Sequence, residues 1–183
     1  MASSRVAIFA ATLAILSCPV ATGAVAEGPK SLSSDLKDAG GVPLGTVTMT
    51  DAPRGILIRI EAEGLPAGWH GAHLHERGDC SGPKFEKAGS HVHRGAGLVH
   101  GLLNPEANDA GDLPNIHVGA DGSAAVELYS TLSSLGGGDD GALLADADGF
   151  ALVIHAAPDD YASQPIGGTG ARIACAAFNL RGL

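Results

Sequence analysis

Apolar and polar positions alternate along this chain in short runs, each closed by glycine or proline. Leu32 to Leu36 is the first, ended by Asp38-Ala39-Gly40-Gly41. Leu44-Gly45-Thr46-Val47-Thr48-Met49-Thr50 alternates as a half-buried strand does. Asp51 to Gly55 turns the chain, and Ile56 to Glu63 resumes the alternation from Ile58, which predicts a hairpin with the preceding run. Gly64 to Gly68 ends that run, and Gly71-Ala72-His73-Leu74-His75 follows as another strand. Further on, Asn115 to Val118 leads to the Asp121-Gly122 hairpin signal, with Ala124 to Tyr129 beyond it. Phe150 to His155 reads as a buried strand ending on a histidine, and Arg172 to Phe178 is the last run. No helical stripe and no repeat is visible. The expected fold is all-β, an immunoglobulin-like, eight-stranded Greek-key barrel or sandwich, with seven strands as the lower count.

Gly78 to Pro114 and Ala156 to Gly170 keep no strand pattern, and Leu132 to Ala145 is a glycine-rich connection. Long stretches without structure of their own are usually functional or disordered. The first carries Cys80, His91, His93, His100, Asp109 and Asp112, so it is read as a functional loop, and the second as its companion.

Composition narrows the reading. The chain has 183 residues, enough for one domain with its own core, and its formal net charge is −9. That charge argues against nucleic acid and anionic membranes as partners, and an anionic substrate would need a local positive feature. Residues 1–26 have the form of a secretory signal: Arg5, an apolar run from Val6 to Leu16, and the small-residue site Ala24-Val25-Ala26, with cleavage expected before Glu27. Export to the periplasm would leave residues 27–183 as the domain. Ile15-Leu16-Ser17-Cys18 also resembles a lipoprotein box, which would anchor Cys18 to a membrane. Signal removal takes Cys18 away and leaves Cys80 and Cys175, one pair in a compartment that permits disulfides.

Candidate chemistry centres on His73 and His75. Residues two apart in a strand share a face, about 7 Å apart at a rise of ~3.3 Å per residue, so two imidazoles can reach one metal ion. His91 and His100, Asp109 and Asp112, and His155 and Asp159 add donors downstream. Outside this set the readings are structural. His70 is a hydrogen-bonding residue, His117 a surface or strand-edge residue, Glu76 a hydrogen-bond partner and Trp69 a packing residue. Asp139, Asp140, Asp146 and Asp148 are solvated turns.

The segments Gly71 to Cys80, Leu103 to Glu106, Ala110 to Asn115, Val153 to His155, Pro158 to Asp160 and Gly167 to Cys175 resemble the copper/zinc superoxide dismutases in their exported bacterial form. The resemblance covers roughly residues 32–178. It implies copper held by His73, His75, His91 and His155, and zinc held by His91, His100, Asp112 and one more ligand. It also implies Asp159 as a carboxylate linking His73 and His100, a Cys80–Cys175 disulfide, and Arg172 as the cation that draws in superoxide. The implied reaction is disproportionation of superoxide. The resemblance further implies that His91 would release copper and carry a proton on the freed nitrogen, which gives it a catalytic role beside Arg172. Asp109 stands where the family usually has a histidine, so either Asp109 or water completes the zinc set. His93 is an alternative to His91. Rival classes are a non-enzymatic copper-binding or metallochaperone module and a zinc-only domain. Monomer and homodimer both stay open.

Overall fold

The computed structural model describes Met1 and residues 30–136 and 141–179. The expected leader, Cys18, the cleavage point, Asp139 and Asp140 lie outside the described residues.

Strands β1 (Ser31–Lys37), β2 (Pro43–Ala52) and β3 (Gly55–Ala62) form an antiparallel meander. β4 (Gly68–His70) and β5 (Ala72–His75) are one run interrupted at Gly71. A single 3-10 turn, Glu86–Ala88, lies in the first long loop. β6 (Ile116–Val118), β7 (Ala124–Ser130), β10 (Phe150–His155) and β11 (Arg172–Phe178) complete the expected set. Counting β4 and β5 together, all eight expected strands are present. The two-residue strands β8 (Ser133–Ser134) and β9 (Ala142–Leu143) pair in parallel inside the glycine-rich connection, where no alternation marks them.

The main sheet runs β5-β10-β11-β1-β2-β3-β7. It is a curled antiparallel sheet whose edge strands continue into the β4–β6 pair: β5 follows β4 in the chain, and the Gly119–Ser123 turn joins β6 to β7. β3 shows how the pattern becomes the fold. Ile56, Ile58, Ile60 and Ala62 are buried, while Arg59 and Glu61 stay outside. They join Leu36, Val47, Met49, Leu74, Leu152 and Ile154 in one core.

β10 departs from one-sided burial, with all six residues buried. Leu152 and Ile154 face the main core, whereas Ala151 and Val153 pack with Cys175, Phe85 and Ala88 from the first long loop. Cross-strand neighbours share a face. Val153 lies opposite His73 and Ala151 opposite His75, so the histidine face is the one covered by the loop.

The loop reaches that face by pairing with the free edge of β5. Leu74 donates its N–H to Gly111 O at 2.8 Å and accepts from Val92 N–H at 2.9 Å. His75 meets His91, and His73 meets Asp112, as single antiparallel bridges. A side chain at Gly111 would run into the Leu74 carbonyl, so this close approach requires glycine.

Trp69 fills no interior space. It is 57% exposed, and its ring stands edge-on to His117 with centroids 4.8 Å apart. Both lie on the outer face of the short β4–β6 pair, which places His117 at the surface as expected.

Candidate metal centre

The sheet and the two long loops bring His73, His75, His91, His100, Asp109, Asp112, His155 and Asp159 together, all buried. Two sets of donor atoms converge. In one, His73, His91, His100 and Asp112 offer atoms all within 4.8 Å of one another; in the other, His75, His91 and His155 do the same. His91 belongs to both, and the His73 ring sits between them, with centroids 4.1 Å from His91 and 4.8 Å from His155. His93 enters neither set, and its Nδ1 faces the His91 carbonyl at 3.0 Å.

The far nitrogen of each imidazole is held by a different partner. His73 Nε2 lies 2.7 Å from Asp159 Oδ2. His75 Nδ1 lies 2.9 Å from Gly89 O. His91 Nδ1 lies 2.7 Å from Asp109 Oδ2, and His155 Nδ1 is 3.1 Å from Thr169 Oγ1. Such partners fix ring orientation and tautomer. Among the described residues, the buried side-chain N and O atoms without a hydrogen bond are His73 Nδ1, His75 Nε2, His91 Nε2, His155 Nε2 and Asp112 Oδ1. Buried polar atoms are rarely left unpaired, so this collection in one place needs an explanation. Four imidazole nitrogens suit copper, and mixed nitrogen and oxygen donors suit zinc. The donor set fits both ions.

The carboxylates are presented through single oxygens. Asp112 Oδ2 accepts from Gly101 N–H at 2.7 Å, and Asp109 Oδ1 from Gly111 N–H at 2.9 Å. Their other oxygens turn inwards. Asp109 Oδ2 lies 3.3 Å from His100 Nδ1, and Asp112 Oδ1 lies 2.7 Å from it. The second contact is close but is not aligned as a hydrogen bond, the arrangement expected of lone pairs that face a common point. Asp109, shorter than histidine, reaches the cluster because the loop lies directly on β5.

Electrostatics divide the site in two. Burial pushes the His155 pKa down to about 3, with the charges of His73 and His91 adding to it. Burial also drives His75 well down and lowers His73, in the latter case against the pull of Asp159. These rings are held neutral, the form that binds metal. Burial opposes charge on His91 and His100 too, but Asp109 and Asp112 outweigh it, raising His91 and pushing His100 up to about 11. Burial would raise Asp109, yet His100 and His91 bring it below the usual carboxylate range.

A family model described as copper/zinc superoxide dismutase matches residues 44–178. The chain is 55% identical over 145 residues to the copper/zinc superoxide dismutase of Caulobacter vibrioides, covering 79% of this chain and 83% of that one. This chain belongs to the copper/zinc superoxide dismutase family. Among solved structures, a SOD-like protein from Bacillus subtilis superposes with a TM-score of 0.72 at 37% identity, covering 79% of this chain and 96% of the other. The Cu/Zn superoxide dismutase from Brucella abortus gives a TM-score of 0.64 at 27% identity, covering 81% and 99%.

Within this family member, Asp159 joins the two halves of the site. Its Oδ2 faces His73, and its Oδ1 accepts from Tyr161 N–H at 2.7 Å and lies 3.1 Å from His100 Nε2. Asn115 clamps the Asp159 backbone from both sides, donating to its carbonyl at 2.9 Å and accepting its N–H at 2.8 Å. Arg172 donates to Phe85 O at 2.6 Å and to Gly89 O at 2.7 Å. The Cys80–Cys175 disulfide is formed and pins the start of that loop to β11. Sequence reasoning missed Asn115, Tyr161, Gly89 and Thr169 as supports. Asn115 was visible, three residues after Asp112; the others act through backbone atoms or a lone hydroxyl and carry no sequence signal.

Proposed function

We propose that the protein disproportionates superoxide: two superoxide anions and two protons give one dioxygen and one hydrogen peroxide. Copper would be held by His73 Nδ1 and by the Nε2 atoms of His75, His91 and His155. Zinc would be held by His91 Nδ1, His100 Nδ1, Asp112 Oδ1 and Asp109 Oδ2. When bound, copper supplies the one-electron couple for both half-reactions. The observation that carries this reading is the set of buried imidazole nitrogens left without hydrogen bonds, all in one place.

The side chains have separable tasks. Arg172, anchored by two carbonyls, supplies a fixed local positive charge in a chain of net charge −9. Burial lowers its pKa, against the pull of Glu86, but a guanidinium stays charged at neutral pH. His91 faces both donor sets, and when its Nε2 is not engaged by copper that atom would hold the proton that goes to peroxide. Asp159 keeps the His73 and His100 rings turned so that each directs Nδ1 inwards.

The rival is a copper-binding role without turnover on the same fold. Four converging imidazoles together with Arg172 favour the enzyme. The test is metal analysis of the purified protein, paired with a superoxide assay after loading with copper and zinc. Copper-dependent turnover is expected. Tight copper binding with no turnover would select the rival. The leader pattern and the disulfide support an exported, periplasmic protein, which cell fractionation checks.

A further inference from the structure

Of the four imidazoles with an unpartnered nitrogen, three have their far nitrogen facing a carboxylate or a main-chain carbonyl at 2.7 to 2.9 Å. His155 differs. Its Nδ1 faces the hydroxyl of Thr169 at 3.1 Å, and the next acceptor, Gly170 O, is 3.4 Å away. We propose that Thr169 is a positioning residue for His155, its hydroxyl fixing the tautomer that leaves Nε2 free for copper. This inference rests on the copper assignment above and names the group that aims one ligand.

The argument is proton accounting. A threonine hydroxyl has one hydrogen to donate. Thr169 Oγ1 gives it to Ile166 O, 3.0 Å away. Towards His155 it can therefore only accept, so the ring hydrogen sits on Nδ1. A neutral imidazole with Nδ1–H carries its lone pair on Nε2, the atom left without a partner in the buried cluster. The Gly170 carbonyl is also an acceptor and reinforces the same tautomer from a longer distance.

Thr169 is fixed as firmly as a support must be. It is fully buried, at 0% exposure. Its carbonyl accepts from Ala157 N–H at 2.9 Å, the Ala157 carbonyl accepts from Gly71 N–H at 3.0 Å, and the Gly71 carbonyl accepts from His155 N–H at 2.9 Å. The Thr169 methyl occupies the space where a side chain at 71 would stand, because a Cβ there would collide with Thr169 Cγ2. The break between β4 and β5 and the Thr169 methyl therefore fit each other, and Oγ1 on the same carbon is directed at His155 Nδ1 and Ile166 O.

Two substitutions separate the hydroxyl from the methyl. Thr169→Val keeps the shape and removes the acceptor; Thr169→Ser keeps the acceptor and removes the methyl. Loss of a group that holds a metal ligand typically costs about 10- to 100-fold in metal affinity. In competition titrations, T169V should bind copper(II) at least about 10-fold more weakly, with a changed electron paramagnetic resonance spectrum, and T169S should stay within about 2-fold of the wild type. Zinc affinity should not move. Wild-type copper affinity and spectrum in T169V would overturn the proposal. So would equal losses in T169S and T169V, since packing would then be responsible.

A measurement on the unaltered metal-free protein needs no variant. Nitrogen-15 NMR of the histidine rings should show His155 as the Nδ1–H tautomer, and the opposite tautomer would refute the inference. Failure of the wild type to bind copper through nitrogen ligands would instead sink the copper assignment, and the tautomer measurement would still decide the role of Thr169.

Discussion

His75 and Arg172 share one acceptor. The Gly89 carbonyl lies 2.9 Å from His75 Nδ1 and takes the Arg172 Nη2 hydrogen at 2.7 Å. One loop peptide thus orients a proposed copper ligand and the proposed substrate-attracting cation together. The loop is fastened nine residues earlier by Cys80, bonded to Cys175 three residues beyond Arg172.

Replacing Arg172 by Ala should lower the rate of superoxide disproportionation about 10-fold or more at low salt and flatten its dependence on ionic strength. Lys should restore part of the rate, because it returns the charge without the two-carbonyl anchor. Stopped-flow assays across a salt series check this, and a rate in R172A equal to that of the wild type at low salt would count against it.

Cys80→Ser with Cys175→Ser removes a bridge across a sequence separation of 95 residues. The chain-entropy model puts the stability loss at on the order of 4 kcal/mol. Because the loop also carries Phe85 and Gly89, the folded double variant should lose activity as well as thermal stability. Calorimetry beside a superoxide assay tests both, and full activity at unchanged Tm would contradict the link between disulfide and site.

Asp109→Ala tests whether this carboxylate completes the zinc set. Its Oδ2 lies 2.7 Å from His91 Nδ1 and 3.3 Å from His100 Nδ1. Zinc retention against a chelator should fall by on the order of 10-fold or more, with copper retention far less affected. If zinc leaves the variant and the wild type at the same rate, Asp109 is a bystander.

The metal-free protein should be most stable near pH 6 to 7, between two titrations of opposite sign. His155 is pulled down to about 3 in the folded state, against an unfolded value of about 6.5. Below that value the unfolded chain binds protons that the native ring refuses, so stability falls as pH drops from about 6.5 towards about 3. His100 is pushed up to about 11, so its contribution is complete below about 6.5 and is lost as pH rises towards about 11. Asp159, whose pKa burial would raise but His100 and His73 lower, adds a further loss below about pH 4. Thermal melts across pH check this, and a Tm that climbs steadily below pH 6 would exclude it. Metal loading should remove the alkaline loss, because bound zinc would take the place of the His100 proton, and should steepen the acid loss, because protons then compete with the ions for the imidazoles.

His73 and His75 were legible because strand alternation puts i and i+2 on one face, and the β3 core positions followed from the same rule. Asp159 and Arg172 came from the family resemblance, since nothing local marks a carboxylate that must span His73 and His100. The route of the first long loop was not legible. It is set by main-chain bonds between Leu74, Val92 and Gly111, which leave no side-chain signature, and the glycine that the approach requires at 111 is one of 27 in the chain. Trp69 misled because aromatic residues usually seek the interior, whereas here the β4–β6 pair turns it outwards.

β5 is the last strand of its sheet, and the loop is what covers its open side. Emptied of its ions, the loop is still fastened at its start by the disulfide, Phe85 and the Arg172 bonds, while the stretch beside β5 relies on main-chain bonds to Leu74, Glu76 and Arg77. Should it peel away, the exposed main chain would become a seam onto which a second molecule can stitch itself. The ions that serve chemistry would then also serve solubility, by keeping that border closed.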